Sequence, residues 1–276
     1  HAFALEQSHR LTEAEDAARR AIALKAAEPW AHHALAHVME TQGRLAEGIA
    51  FLSHYAPTWE GRSIFIRHHN WWHQLLFLLD LGETPRALDI FDARLWGVWP
   101  EFAQEQIGAI SALIRLELRG ADVGGRWAPV AAKVAERGYE HIQPFHDLHF
   151  VYALARAGEA GAADAFLRSL AMHAARAPAF WGEVALPAAE GLAAHAQGRF
   201  DAAVEGLACA LPRLQTIGGS HAQRDLFNQV WIDALWRSGS IHAARTELER
   251  RVAQRGQAAG LRALAQRVGG MAVAAN

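Results

Sequence analysis

Cysteine is almost absent from this 276-residue chain. Cys209 stands alone, which excludes an internal disulfide framework and fits a reducing compartment, the cytoplasm. Long apolar runs are missing as well; the densest, Leu75 to Leu79, is far too short to cross a membrane. Charge of either sign is modest, with 20% charged residues and a formal net charge of −2, so nothing draws the chain toward nucleic acid or anionic lipid. A Gly-rich phosphate loop and a basic cluster interleaved with aromatics are both lacking, which removes the usual nucleic-acid signatures. The chain opens on His1-Ala2-Phe3 with neither an initiator Met nor a signal-peptide pattern. A fragment of a longer protein, lacking an N-terminal portion, is the expectation. β-Branched residues are sparse while Ala and Leu dominate, which favours helix over strand. His and Trp are over-represented, at 16 and 10 residues, so their placement needs an account.

A period is written in the turns. Gly43, Gly82, Gly120, Gly158, Gly198 and Gly239 recur 38 to 41 residues apart, each closing one apolar-periodic stretch before another opens. His9-Arg10-Leu11-Thr12-Glu13-Ala14 supplies a first copy without its glycine, 34 residues before Gly43. Glycine accepts the left-handed backbone that ends a helix, and the small residues that follow let the next helix pack closely. A single helical hairpin cannot bury its apolar face alone, so neighbours stack. The expected architecture is all-α: one domain over residues 1–276, a right-handed superhelical stack of about seven tetratricopeptide-like hairpins. Helices are expected at 12–27, 30–42 with 45–55, 64–81 with 84–93, and 101–119 with 126–137. Further along come 143–157 with 160–174, 183–197 with 200–215, and 221–238 with 241–254, then a capping helix near 257–268.

Polar residues gather on the first helix of several hairpins. His69 and His73 lie at i and i+4, so their imidazoles share a face and can offer two nitrogens to one metal. His37 and Glu40 share a face of the preceding inner helix, and Asp147 and His149 begin another. If these helices line one groove, His37, His69, His73 and His149 are candidate ligands for a divalent transition metal such as zinc, with Glu40 or Asp147 as base. The zinc-protease motif is absent, since Asn70 rather than Glu follows His69. With this many His, an i, i+4 pair also arises by chance. Ser220-His221-Ala222-Gln223 reads as a capping box opening a helix, with Arg224 in its first turn; local bonding of Arg224 and Asp225 is favoured there over an anion site. Trp72, Trp127, Trp231 and Trp236 are expected in the core, and Cys209 is not expected as a nucleophile. Ser, His and Asp all occur, as in any protein.

Four stretches resemble the tetratricopeptide repeat protein 38 family: Ala36-His37-Val38-Met39-Glu40, His69-Asn70-Trp71-Trp72-His73, Asp147-Leu148-His149-Phe150, and Gly218-Gly219-Ser220 through Ala222-Gln223-Arg224-Asp225 to Phe227-Asn228-Gln229. The likeness extends over nearly the whole chain and makes it the C-terminal two-thirds or so of a full member. It implies a helical repeat array and no established reaction. It also singles out His37, Glu40, His69, Asn70, His73, Asp147, His149, Arg224, Asp225 and Asn228, and gives less weight to His33, His68, His146 and His221. Two functions follow. In the first, a concave groove takes up a peptide, protein or small polar ligand through Asn70, Arg224, Asp225 and Asn228. In the second, the His-rich site serves a metal-dependent enzyme, a hydrolase for instance.

Overall fold

A computed structural model describes residues 1–158 and 160–255. Among them are fourteen α-helices and no strand. They are α1 (Ala2–Gln7), α2 (Leu11–Leu24), α3 (Pro29–Thr41), α4 (Leu45–Tyr55), α5 (Ile64–Leu81), α6 (Thr84–Ile90) and α7 (Ala103–Leu118). The rest are α8 (Trp127–Glu136), α9 (Pro144–Arg156), α10 (Ala160–Ala174), α11 (Leu186–Ala196), α12 (Phe200–Ala210), α13 (His221–Arg237) and α14 (Ile241–Arg255). The helix expected near 257–268 lies outside the described residues.

All six period-marking glycines hold positive φ, from 70° at Gly43 to 85° at Gly239. His9, which occupies the turn of the glycine-less first copy, does the same at φ 57°. The turn requires the left-handed conformation whatever residue supplies it, and an L side chain there costs on the order of 1–2 kcal/mol. Where the helices differ from expectation, the cause is local. Helix α6 stops at Ile90 and widens into a π turn over Phe91–Leu95, and a second π turn at Trp181–Ala185 precedes α11. The stretch expected as one helix over 200–215 ends at Ala210, because Pro212 cannot continue it, and passes into 3-10 geometry. Six-residue α1 was not expected from the sequence at all.

Burial alternates along the chain. In α3, α5, α7 and α9 most residues are buried, whereas α2 buries only Ala14 and Ala18, and α4 only Leu45, Gly48 and Leu52. Helices α3, α5, α7 and α9, the first of their hairpins, are thus enclosed, whereas α2 and α4 each bury one face. Packing follows chain order, with α3 on α4, α5 on α6, α7 on α8, α9 on α10 and α11 on α12. Enclosed helices of successive hairpins also meet, α3 on α5, α7 on α9 and α9 on α11.

The chain divides into two compact units. One comprises His1–Trp99 with the described residues from Leu248 onward, and the other comprises Pro100–Glu247. The first has an apolar core built around Leu35, Val38, Met39, Leu52, Trp59 and Phe77. There a Cβ on Gly48 would come within 2.6 Å of the Phe77 ring, so only glycine admits that ring between α4 and α5. In the second unit α13 packs back on α7, three hairpins earlier, so this unit closes on itself instead of touching only chain neighbours. Arg115, buried on α7, is the tie: its guanidinium donates to the Ala222 carbonyl of α13 at 2.8 Å and to the Ser111 hydroxyl. A hydrogen bond across such a span is invisible to any repeat period.

Candidate metal centre

Two i, i+4 pairs of histidine face each other across the packed helices α3 and α5. His33 and His37 come from α3, and His69 and His73 from α5. One ligand-capable atom from each lies within 4.8 Å of the other three, and all four side chains are buried. Ring centroids are 4.6 Å apart for His33 and His37, 4.3 Å for His37 and His73, 4.9 Å for His33 and His69, and 4.9 Å for His69 and His73.

Local sequence explains the placement. Pro29 begins α3 at a position where its missing N–H costs nothing. Asn70 of α5, fully buried, donates from Nδ2 to the Pro29 carbonyl at 3.1 Å and so fixes the two helices against each other. In each adjacent His-His pair one ring braces the fold and the other joins the cluster. His32 bonds through Nε2 to the Ala26 carbonyl at 2.8 Å and accepts at Nδ1 from the Trp59 indole at 3.1 Å. His68 bonds through Nε2 to the Leu95 carbonyl at 3.2 Å.

Carboxylates stand behind two of the four rings. His73 Nδ1 lies 3.1 Å from Glu40 Oε2, and His37 Nδ1 lies 3.7 Å from Glu6 Oε2, with Glu6 itself buried. A carboxylate at Nδ1 sets the tautomer, leaving the Nε2 lone pair to point forward, the usual arrangement behind metal-bound imidazole. Glu40, expected as a base, is therefore placed to orient His73. Glu6 sits on α1 beside Phe3, whose ring covers His33 and His37 at 5.0 and 5.2 Å. On the other side Trp72 stacks on His69 at 5.1 Å and 8°.

For two of the four rings the electrostatics favour the neutral, ligand-ready form. Burial, and then neighbouring imidazoles, holds the pKa of His33 and His69 well below the ordinary 6.5. His33 Nε2 lies 3.1 Å from His37 Nε2, while buried His33 Nδ1 has no hydrogen-bond partner among the described residues. Leaving a buried polar atom unmet costs on the order of 1–3 kcal/mol. A separation of 3.1 Å suits adjacent ligands of an ion bound at about 2.0–2.1 Å to each nitrogen. The donor set fits a transition metal ion, and its four candidate ligand atoms, within 4.8 Å of one another, would draw closer around one bound at about 2.0–2.1 Å to each.

Comparison with known proteins adds no assignment. No protein-family profile matches the chain, and no solved structure matches it.

The remaining site residues expected from the sequence belong to the second unit. His149, on α9, is 1% exposed; its Nδ1 donates to the Phe145 carbonyl at 2.8 Å and its ring packs on Phe227 at 5.3 Å. Asp147 receives His141 Nδ1 at 2.8 Å. Ser220 and Gln223 form the expected capping box at the start of α13. Arg224 bonds to the Gly218 and Gly219 carbonyls, and Asp225 receives Gln229 Nε2 at 2.7 Å, so both are engaged locally. Asn228 is half-buried on the same helix. Trp72 and Trp127 are buried, Trp231 and Trp236 only half-buried, and Cys209 is exposed. The sequence reading missed two members of the centre. The resemblance gives His33 less weight, although it stands four residues before His37, the same spacing as His69 and His73. Glu6 was missed because α1 has neither a cap nor a full amphipathic repeat to announce it.

Proposed function

We propose that the first unit holds a divalent first-row transition metal on His33, His37, His69 and His73, and that this centre is the functional part of a metal-dependent enzyme. The observation that carries the reading is the convergence of four buried imidazoles from two packed helices, with carboxylates at two of their outer nitrogens. Imidazole donors select zinc, copper, iron, cobalt or nickel over magnesium and calcium. His33, His37, His69 and His73 would hold such an ion, which would supply Lewis-acid chemistry toward a polar substrate. Access is short on one side: Phe3 and Trp30, which cover His33, are themselves 37% and 51% exposed.

A second reading is a binding module. It rests on the glycine-punctuated hairpins and on the resemblance to the tetratricopeptide repeat protein 38 family, and it extends the hairpins into a right-handed superhelix with a ligand-binding groove. Burial weakens its original form, because Asn70 is 0% exposed and already bonded to Pro29.

Elemental analysis of protein purified without an affinity tag separates the two. The metal reading expects about one transition-metal ion per chain, lost in a His69→Ala, His73→Ala double variant. Metal at about a hundred times its Kd should also stabilise the apoprotein by about 2.7 kcal/mol. No bound metal, together with a melting temperature unmoved by zinc, manganese, iron or nickel, would remove this proposal and leave the binding module.

A further inference from the structure

Three side chains of the second unit make a relay that neither proposed function uses. His141 Nδ1 lies 2.8 Å from Asp147 Oδ2, and His141 Nε2 lies 3.0 Å from Ser169 Oγ. We propose that Ser169, His141 and Asp147 form a nucleophilic triad that cleaves small carboxylic esters in the adjoining cavity. The connectivity is the one such chemistry requires: hydroxyl to one ring nitrogen, carboxylate to the other.

The surroundings hold the relay in place. His141 and Asp147 are 6% and 3% exposed, while Ser169 on α10 is half-buried and reaches the cavity. The His141 ring is packed by Phe166 at 5.2 Å and His173 at 5.4 Å. Its backbone is left-handed at φ 45°, one of two non-glycine residues so placed among those described. Strain of that kind, on the order of 1–3 kcal/mol, is held where surrounding contacts fix a residue for a task. The cavity beside Ser169 measures about 310 Å³ and is lined by His141, Ser169, Met172, His173, Arg176 and Ala177. That size admits a small ligand only. Met172 gives it an apolar wall, and Arg176 supplies positive charge for the oxyanion of a tetrahedral intermediate.

The chemistry balances within these residues, the ester and water. Ser169 Oγ bonds to the acyl carbon as its proton passes to His141 Nε2. The ester C–O bond breaks, and the leaving alcohol takes that proton. Water then attacks the acyl-serine, His141 accepts its proton and returns it to Ser169 Oγ, and the free acid departs. Asp147 remains a carboxylate that holds His141 Nδ1–H, so it is a positioning residue.

An alkyl fluorophosphonate tests this without a known substrate. Intact chain is incubated with the probe, and modified peptides are identified by mass spectrometry. The expected result is an adduct on Ser169, absent in Ser169→Ala, and formed at least about 100-fold more slowly in Asp147→Asn. The Asp147→Asn variant should keep its melting temperature within a few degrees, since the side chain keeps its shape. Labelling should be unchanged after chelation of metal, which separates this site from the metal centre. An unmodified Ser169 in wild-type protein overturns the proposal, as does equal labelling of wild type and Asp147→Asn.

Discussion

At the scale of single residues, charge state decides what the buried histidines can do. Four rings within one cluster cannot all be protonated, and burial keeps His33 and His69 neutral, which is the form that donates a lone pair. Glu40 then acts through His73, not on its own account. A Glu40→Gln variant keeps the side chain's shape but weakens its hold on His73 Nδ1–H. Metal affinity measured by competition with a chromophoric chelator should fall about 10- to 100-fold; an unchanged affinity would show that the carboxylate does not support the ring. His149 titrates with a different consequence. Burial lowers its pKa to about 3, only partly offset by its bond to the Phe145 carbonyl, with His146 and Arg115 adding smaller depressions. An unfolded imidazole titrates near 6.5, so between that pH and about 3 the unfolded chain carries the extra proton. Stability is full above about 6.5 and falls as the solution is acidified. Urea midpoints of the metal-free protein between about pH 7.5 and 5.5, above the carboxylate range, should decline with acid. The decline should be shallower in His149→Gln, whose side chain does not titrate.

Elements of the fold were legible where their signals are local. The turn glycines announced each hairpin, and the required backbone conformation appears at every one of them. The Ser220–Gln223 box marked a helix start for the same reason, since caps act within one turn. The π turns at Phe91 and Trp181 were not legible, because a single extra residue per turn leaves no period behind. Close helix crossings were not foreseen either. In the second unit α11 and α12 meet at Gly191 and Gly206, where a Cβ on Gly206 would stand 2.7 Å from the Pro187 carbonyl oxygen. Backbone cannot swing aside as a side chain does. Gly206→Ala should therefore destabilise by about 1–3 kcal/mol despite the better helix propensity of alanine. Thermal unfolding measures this; a raised melting temperature would mean that the two helices slide apart freely.

At the scale of a whole unit, the fold departs from a simple row of repeats through contacts between residues distant in sequence. In the second unit α13 returns to α7 through buried Arg115, which no repeat period reveals. Arg115→Ala should cost about 1.5–3 kcal/mol, the usual contribution of a hydrogen bond from a charged donor. Amide exchange should then speed up together in α7 and α13; acceleration confined to α7 would deny the tie. The same limit on what sequence shows applies to the candidate metal centre. His37, His69 and His73 declared themselves in the sequence, but only folding brings α3 and α1 alongside α5 and adds His33 and Glu6. X-ray absorption of the metal-loaded chain tests the central claim most directly. The account predicts a nitrogen shell at about 2.0–2.1 Å with the outer scattering of several imidazoles, diminished in His33→Ala and in His69→Ala. An all-oxygen shell, or a spectrum indifferent to both substitutions, would contradict it.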